Sequence, residues 1–266
     1  MKANFKEFDD GCCSVVVHKN STSFAFAYRR DSTYTANIYI EKIKIHGKEA
    51  IKQYKTTKGY SFHTIILKDG WFMGAGGASF RPSGGSDSKN PYDYLEKLGG
   101  KIVSKGKITK NDMETARKFM KKFTMAHFVI KSPKGNFGVL ISLKSSKMIK
   151  TFKMKNGEYL CVPNSPRHYK KGVYVVKKSS LANVAIRVAG TDRWGGSTRR
   201  QVIAYDVINI KNSTKINIWA TNDTGKLCGR VSKVQPDNIY YNKTKTSSKS
   251  IPKIPKKVYI GKAILN

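Results

Sequence analysis

Acidic residues are scarce in this chain, which has 17 aspartates and glutamates against 51 lysines and arginines, for a formal net charge of +34. This deficit favours anionic partners such as nucleic acid, acidic lipid headgroups or a charged cell envelope. The basic residues are mostly lysines spread along the whole chain, and they are densest from Lys243 through Lys257. No zinc finger, helix-turn-helix pattern or RNA-binding aromatic signature accompanies them. We therefore expect a lysine-rich surface and no specific nucleic-acid binding.

Long apolar runs are also missing. No uncharged apolar run reaches the roughly 18 residues that a membrane-spanning helix needs, so no transmembrane segment is expected. Residues 1–10 lack the apolar core of a signal peptide, which favours a cytoplasmic protein. Export would require a leader that precedes this sequence. We interpret residues 1–11 as a leader or propeptide.

Metal-ligand spacings are absent from the cysteines and histidines. The four cysteines are Cys12, Cys13, Cys161 and Cys228, and they include no CxxC pair and no Cys/His ligand pattern, so we expect no metal site. Cys161 and Cys228 either pair or fill the core, whereas Cys13 is expected to point away from Cys12 and to pack. The five histidines have no helical partner at ligand spacing, and none is assigned a catalytic role.

The apolar pattern predicts a strand-rich α+β protein with few long helices. One helix is expected from Asp112 to Phe123, with Asn111 as its cap and Glu114 as the capping-box partner. The segment Leu181–Val188 fits a helix or a strand, and the Gly- and Ser-rich stretch 81–90 is expected to be a surface loop. We predict one domain over residues 12–240 and a basic C-terminal tail over residues 241–266. The predicted strands are 14–17, 23–28, 37–45, 61–67, 71–74, 126–131, 137–143, 158–162, 202–208 and 215–220.

The segment around Cys12 carries the most chemistry. Gly11 and Cys12 precede an apolar strand, and a second strand ends in Arg29, Arg30 and Asp31. A nearby cation lowers the pKa of a thiol, and an α-amine freed by cleavage before Cys12 would titrate near about 8 and accept the thiol proton. Two cysteines before an apolar strand are more often buried core residues, so this pattern alone does not establish a nucleophile.

The order of several short motifs resembles the choloylglycine hydrolase and isopenicillin N acyltransferase superfamily. Gly11-Cys12 leads into two strands and then Asp31, nineteen residues after Cys12, as at the start of the mature chain in that group. The resemblance spans roughly residues 11–220. Its later parts are the strand pair Thr64–Gly77 (TIILKDGWFMGAGG), the helix and hairpin Asn111–Leu143, the strand into Asn164-Ser165-Pro166, and Arg199-Arg200 before a closing hairpin.

This resemblance implies an N-terminal-nucleophile (Ntn) hydrolase fold, an αββα sandwich of two antiparallel sheets between helices. It also implies cleavage between Gly11 and Cys12. Cys12 is then both nucleophile and, through its freed amine, the base, and Asp31 orients that amine. Asn164 fixes the nucleophile region or donates to the oxyanion, and a late positive charge comes from Arg199 or Arg200. No cofactor is required.

Two positions depart from the family pattern. Bile salt hydrolases carry an arginine where this chain has Tyr28; Arg29 could substitute, but strand alternation would point it the other way. The oxyanion asparagine aligns near Gly77, which leaves only a backbone N–H. These departures bear on the substrate pocket more than on the nucleophile.

Simpler roles stay open for the other candidate residues. Asp31 could pair with a neighbouring arginine in a turn, and Asn164 is also an ordinary turn residue. The pair Arg199-Arg200 fits a solvated surface element.

The sequence therefore supports three hypotheses. The first is a cysteine-nucleophile amidohydrolase or acyltransferase that acts on a small-molecule amide, anionic substrates included, through an acyl-thioester. The second is a non-catalytic basic module that binds a polyanion. The third is an Ntn homologue that has lost activity, for which Tyr28 and Gly77 are the warning signs. Homo-oligomer formation is left open.

Overall fold

Two antiparallel sheets with helices on their outer faces make up the part of the chain that the structure describes. The computed structural model describes residues 13–20, 22–32, 38–55, 61–82, 91–120, 123–143, 146–166, 169–174, 180–191, 199–221, 227–231, 239–243 and 257–266. The prediction of a strand-rich α+β fold built on two antiparallel sheets is confirmed.

The first sheet has seven strands. They are β1 (Cys13–Asn20), β2 (Ser23–Ser32), β10 (Glu158–Pro163), β11 (Lys170–Val173), β12 (Arg199–Ile210), β13 (Ser213–Thr221) and β16 (Lys257–Leu265). Their order is β11-β10-β1-β2-β12-β13-β16, which places β1 near the centre, between β10 and β2. Each neighbouring pair is antiparallel.

The second sheet has nine strands. They are β3 (Ile38–Ile45), β4 (Lys48–Lys55), β5 (Ser61–Leu67), β6 (Phe72–Pro82), β7 (Phe123–Lys131), β8 (Asn136–Leu143), β9 (Ser146–Lys153), β14 (Leu227–Val231) and β15 (Ile239–Lys243). Their order is β14-β15-β3-β4-β5-β6-β7-β8-β9, so that most neighbours in space are also neighbours in the chain.

Three apolar clusters define the layers. One contains residues of both sheets, such as Phe26 and Phe72, and therefore lies between the sheets. A second joins the outer face of the nine-stranded sheet to helices α1 (Pro91–Lys105) and α2 (Lys110–Met120). A third joins the outer face of the seven-stranded sheet to helix α3 (Leu181–Thr191). The layers thus run helix, sheet, sheet, helix.

Strand β1 is buried on both faces, which explains its continuous apolar run. Ser14 and Val16 face the space between the sheets, whereas Cys13, Val15 and Val17 face α3. Side chains alternate along a strand, and a strand covered on both sides needs apolar residues at every position. The run at 13–17 therefore marks a central strand.

Helix α2 begins two residues earlier than expected and ends before Phe123, which is the first residue of β7. Its cap is Thr109, not Asn111: the backbone N–H of Asp112 donates to Oγ1 of Thr109 over 3.3 Å. The carboxylate of Asp112 accepts the backbone N–H of Thr109 at 2.7 Å in return. The capping box is therefore Thr109–Asp112, and the expected pair of Asn111 and Glu114 is corrected.

Several elements were not predicted. Helix α1 and strands β4 and β9 are additions, and the segment Leu181–Thr191 is a helix. Residues 257–265, which the sequence analysis included in the basic tail, pair with β13 as an edge strand. The side chains of Ile260 and Leu265 are buried there, and they hold this segment against the sheet. Residues 81 and 82 of the predicted loop are the end of β6, and residues 241–243 of the predicted tail belong to β15. The remainder of the loop, 83–90, and of the tail, 244–256, lies outside the described residues.

Candidate active site

Positions that the resemblance assigned to catalysis meet at one end of the seven-stranded sheet. Strand β1 begins there with Cys13, whose Cα partner on β10 is Pro163. Asn164 follows Pro163 directly, and Arg200 on β12 is the Cα partner of Asp31 on β2. These strands are adjacent in the order β10-β1-β2-β12. The fold therefore brings together backbone positions that are far apart in the sequence.

The predicted nucleophile and the cleavage site, Cys12 and Gly11, lie outside the described residues. Cys12 is joined by a peptide bond to Cys13, the first residue of β1, and consecutive Cα atoms are about 3.8 Å apart. Cys13 is fully buried among residues of the β1, β2 and α3 cluster, so the prediction that it is packed is confirmed. Cys161 is likewise buried, in the same cluster.

For four further predicted residues the structure describes only the backbone. Asp31, Arg199 and Arg200 lie on the paired ends of β2 and β12. Gly77 lies on β6, directly after Gly76, whose Cα partner is His127 on β7. Their side-chain roles stay predictions.

Arg29 turns away from the space between the sheets, as strand alternation predicted. Its Nη1 donates to the backbone carbonyl of Ala189 near the end of α3, over 2.6 Å, and the residue is fully buried. Tyr28 faces the other way and lies in the core between the sheets. Arg29 therefore does not take the place of the family arginine that Tyr28 replaces.

Arg30 is a buried cation that the sequence analysis did not single out. It shares the face of Tyr28, two residues earlier on the same strand, and is 2% exposed. Its Nη1 donates to Oε1 of Gln201, its Cα partner on β12, over 3.1 Å. A positive charge thus lies between the sheets, at the end where β1 begins.

A hydrogen-bonded chain of three side chains crosses from one sheet to the other at the same end. Ser14 Oγ lies 2.9 Å from His127 Nε2, and His127 Nδ1 lies 2.7 Å from Asn164 Oδ1. Ser14 belongs to β1, His127 to β7 of the other sheet, and Asn164 follows β10. All three are buried, with at most 1% of their surface exposed.

The donors in this chain follow from its atoms. Asn164 Oδ1 can only accept, so Nδ1 of His127 carries the proton, and Nε2 accepts the hydroxyl hydrogen of Ser14. Burial lowers the pKa of His127 to about 4; the bond to Asn164 opposes this shift and the charge of Arg29 adds to it. The imidazole is therefore neutral near pH 7 and holds a single tautomer.

Glycine at position 74 makes room for this chain. A Cβ on Gly74 would lie 3.0 Å from Ser14 Oγ and 2.9 Å from the ring of Phe72. A larger residue would force the Phe72 ring and the Ser14 hydroxyl to shift at the point where Ser14 reaches His127. The glycine-rich segment of β6 therefore has a packing reason at Gly74.

The polar character of this region extends to neighbouring strands. Gln53 on β4 accepts the hydroxyl of Tyr205, from the opposite sheet, at Oε1. Thr64 Oγ1 on β5 and Gln53 Nε2 are buried without a hydrogen-bond partner among the described residues. Thr64 is also the Cα partner of Gly74. Several buried polar groups therefore lie between the sheets near this chain, which is typical of a functional site.

A second buried ionisable group lies towards the far end of β1. Lys131 is fully buried; its Nζ donates to the carbonyls of Gly70 and Ser132, each over 3.2 Å, and lies 4.0 Å from the centre of the Phe24 ring. Burial lowers the pKa of Lys131 to about 7. Burial and the charge of Lys131 also lower the pKa of His18 to about 4.

Two open clefts, of about 340 and 390 Å³, lie at that far end. Lys19, Ser23 and Asp206 line the first, and Lys68, Asp69 and Asn212 line the second. Cys13 and Lys19 are six residues apart on β1, a span of about 20 Å in a strand. Neither cleft borders the chain of Ser14, His127 and Asn164.

Comparison with known proteins gave no assignment: no protein-family model matches the chain, and no curated protein shows significant sequence similarity to it. Within the described residues, no cluster of three or more His, Cys, Asp or Glu side chains could hold a metal ion. Helices in the same part of the chain are too short or too polar to cross a lipid bilayer.

His127 is not predicted from the sequence, because its partners lie far from it in the chain. Its partners, Ser14 and Asn164, lie 113 and 37 residues away. The one available signal was a histidine in the middle of an apolar strand, FTMAHFVIK, where burial demands a hydrogen-bond partner on another element.

Proposed function

We propose that the protein is an Ntn amidohydrolase or acyltransferase of the choloylglycine hydrolase and isopenicillin N acyltransferase type, with Cys12 as its nucleophile. One observation carries this proposal. The start of β1, Asp31, Asn164 and Arg200 lie on adjacent strands at the same end of one sheet. Residues assigned separately to one catalytic apparatus would not be expected to converge if the resemblance were fortuitous.

The layer order supports the same proposal. Helices α1 and α2 cover one sheet and α3 covers the other, with the main core between the sheets. This agrees with the αββα sandwich that the resemblance implies. Strand β1 occupies a central position with neighbours on both sides, so a nucleophile at its start is attached to a rigid element.

The proposed reaction begins with the Cys12 thiol. Its proton passes to the free α-amine, and the thiolate sulfur forms a bond to the carbonyl carbon of the amide while the C=O π electrons move to the oxygen. The tetrahedral intermediate collapses, the C–N bond breaks, and the leaving amine takes the proton from the α-ammonium group. Water, or an acceptor amine, then attacks the acyl-thioester; the new bond forms, the C–S bond breaks, and the thiol is restored.

The surroundings supply the remaining roles. Asp31 would bind the α-amine, and Asn164 together with the backbone N–H of Gly77 would donate to the oxyanion. Arg30 extends this proposal to the substrate, because a buried guanidinium between the sheets is suited to an anionic group on the substrate. A small amide that carries a carboxylate is therefore the substrate class we favour.

Intact-mass measurement of the purified full chain tests the proposal. We expect the wild-type chain to be cut after Gly11 and to be labelled at Cys12 by an acylating reagent, as located by peptide mapping. Cys12→Ala should abolish both. A Cys12→Ala protein that is still cut after Gly11, or that is acylated as fast as wild type, would contradict the proposal.

Cys13→Ala is the matched control. It removes the adjacent thiol, which packs against α3 in a cluster away from the space between the sheets. Cleavage and acylation should persist in this variant, with a loss of stability of about 1 kcal/mol for the lost buried sulfur. Loss of acylation in Cys13→Ala, together with its retention in Cys12→Ala, would show that Cys13 and not Cys12 is the nucleophile.

A specific surface favours the second candidate function, binding of a polyanion. The edge strands β9 and β11 and the turn after β9 carry six exposed lysines, here called the lysine face: Lys147, Lys150, Lys153, Lys155, Lys170 and Lys171. Aromatic rings lie beneath it: Lys150 Nζ is 4.5 Å from the centre of the Tyr169 ring, and Lys171 Nζ is 5.1 Å from that of Phe152.

Binding to heparin, a sulfated polyanion, tests this second candidate. Replacing Lys150, Lys153 and Lys170 with glutamine should weaken binding and reduce its dependence on salt. The same replacement at Lys44, Lys101 and Lys107, three exposed lysines outside the lysine face, removes equal charge. Equal effects from both triple variants would mean that net charge, and not the lysine face, governs binding.

A further inference from the structure

The chain Ser14–His127–Asn164 has the atoms of a Ser-His-Asx arrangement, yet its serine is not placed to attack a substrate. Ser14 is fully buried, and a Cβ on Gly74 of the facing strand would already crowd its hydroxyl. The hydroxyl hydrogen is also committed to Nε2 of a neutral imidazole. The chain therefore needs another role than nucleophilic catalysis by Ser14.

The asparagine end of the chain lies next to the start of β1. Asn164 directly follows Pro163, the Cα partner of Cys13, and Cys13 is bonded to Cys12. Ser14, at the other end of the chain, is only two residues after Cys12. The three side chains thus connect β1, from which the proposed nucleophile extends, to the end of its neighbour β10. The connection passes through the His127 ring on the opposite sheet.

The histidine decides which way the Asn164 amide faces. Because Oδ1 accepts from Nδ1–H of His127, the two hydrogens on Nδ2 are turned away from the ring. Without that bond the amide could rotate by half a turn and present its oxygen in place of its donors. A carbonyl oxygen facing a developing oxyanion would repel it.

We propose that His127 is a positioning residue that holds the Asn164 side chain so that its Nδ2–H groups donate to the oxyanion formed on the carbonyl bound by Cys12. Ser14 supports this arrangement by donating its hydroxyl hydrogen to Nε2, which stabilises the tautomer with the proton on Nδ1. This inference rests on the proposed function, because it requires Cys12 to be the nucleophile. It adds two residues, His127 and Ser14, to which the resemblance assigned no role.

Two reagents separate this role from a general effect on the thiol. With p-nitrophenyl acetate the thiolate attacks a carbonyl, a C–S bond forms, an oxyanion develops, and the bond to nitrophenolate breaks. With iodoacetamide the sulfur displaces iodide at a saturated carbon, and no oxyanion arises. The ratio of the acylation rate to the alkylation rate at Cys12 therefore reports oxyanion stabilisation.

Asparagine and leucine at position 127 form the decisive pair in the full chain. They have nearly the same size, so both leave the same cavity, but only asparagine keeps an N–H near the position of Nδ1. We expect His127→Leu to lower the ratio by roughly 10²-fold, the usual effect of losing one oxyanion donor. His127→Asn should restore the ratio to within about tenfold of wild type.

Two controls complete the experiment. His18→Leu removes another buried histidine, at the far end of β1, and should leave the ratio unchanged. Cys12→Ala measures the labelling of the remaining cysteines. Should His127→Leu fail to fold, Ser14→Ala removes the hydroxyl that donates to Nε2 of His127, with a smaller change in volume, and we expect it to lower the ratio in the same direction.

The outcomes distinguish the proposed function of Cys12 from the positioning role of His127. Wild-type protein that is alkylated but never acylated at Cys12 would overturn the proposed function, and this inference with it. Wild-type protein that is acylated at Cys12, with an unchanged ratio in His127→Leu and Ser14→Ala, would overturn the positioning role alone. A lowered ratio in His127→Leu that His127→Asn restores would support it.

Discussion

Arg200 lies directly opposite Asp31 in the antiparallel pairing of β12 with β2. Both positions were assigned to catalysis on the resemblance alone, from separate parts of the chain. Their pairing places a carboxylate residue on β2, the neighbour of β1, and a cationic residue on β12, the next strand, at the end where β1 begins. The proposed roles of these residues can therefore be tested one at a time.

Asp31→Asn should slow acylation of Cys12 by p-nitrophenyl acetate by roughly 10²-fold. The substitution keeps the size of the side chain but removes the negative charge proposed to hold the α-amine that accepts the thiol proton. The measurement is nitrophenolate release by the cleaved protein, together with the midpoint of thermal unfolding, which we expect to change little.

Asp206→Asn is the matched control for Asp31→Asn. Asp206 accepts the backbone N–H of Ala182 at the start of α3 and the indole N–H of Trp219. Its loss should lower stability by about 1 kcal/mol and leave acylation unchanged. If Asp31→Asn instead lowered stability and spared acylation, Asp31 would be a structural residue.

Strands with strong alternation or continuous apolar runs were predicted well from the sequence. The predicted turn at Gly70, which has a positive φ, joins β5 to β6, and β1 and β2 form the predicted hairpin, although β1, β2 and β6 extend beyond their predicted ends. Helix α1 escaped prediction because Gly99 and Gly100 interrupt its pattern. Packing explains Gly99, because a Cβ there would clash with Met73, whereas Gly100 faces only the movable side chain of His46.

The site was predictable only in part. Sequence motifs indicated Asn164 and Asp31, but not the histidine that binds Asn164, because that contact depends on how two sheets stack. Arg30 was overlooked for a related reason: at the end of a strand it reads as a turn residue, whereas the structure buries it against Gln201. Contacts between layers leave little trace in local patterns.

Acid should destabilise the protein through His127. Burial lowers the pKa of this residue to about 4, so the unfolded chain takes up a proton below the ordinary value of 6.5 while the folded chain does not. The unfolded state then binds more protons, and the free energy of unfolding should fall by about 3 kcal/mol as pH drops from 6.5 to 4. Urea unfolding at pH 7 and pH near 4 measures the change.

His18 and several carboxylates titrate in overlapping ranges, so the comparison needs a variant. Burial also lowers the pKa of His18 to about 4, and the pKa of Glu158 lies below its ordinary value, held there by hydrogen bonds from the Lys155 backbone and Lys171. In His127→Leu only the contribution of His127 is removed. The variant should lose less stability on acidification than wild type; an equal loss would show that His127 is not the buried neutral group described.

Lys131→Met should stabilise the protein near pH 7, by about 1–3 kcal/mol. Burial lowers the pKa of Lys131 from 10.5 to about 7. Between pH 7 and 10.5 the lysine is therefore protonated in the unfolded chain but largely deprotonated in the folded one, so folding releases a proton. The wild-type free energy of unfolding should therefore rise with pH between 7 and 10.5, and that rise should vanish in Lys131→Met. The exposed Lys134, on the next turn, is the control, and Lys134→Met should stay within about 0.5 kcal/mol of wild type.

The adjacent glycines of α1 should respond to alanine with opposite signs. A Cβ at Gly99 would lie 2.0 Å from Sδ of Met73, a buried residue of β6 beneath the helix. A Cβ at Gly100 would lie 2.8 Å from Nε2 of His46, an exposed side chain that can move away. Alanine is favoured over glycine inside a helix by about 1 kcal/mol. Gly99→Ala should therefore destabilise by at least about 1 kcal/mol in spite of that gain, because overpacking outweighs propensity.

Gly100→Ala should be neutral or stabilising by up to about 1 kcal/mol, since only propensity remains once His46 has moved. Urea unfolding of the two variants at pH 7 measures both effects. The double variant with Met73→Ala tests the cause, because removing the Met73 side chain should abolish most of the penalty of Gly99→Ala. Stabilisation by Gly99→Ala in the wild-type background would mean that α1 does not pack closely on β6 at this point.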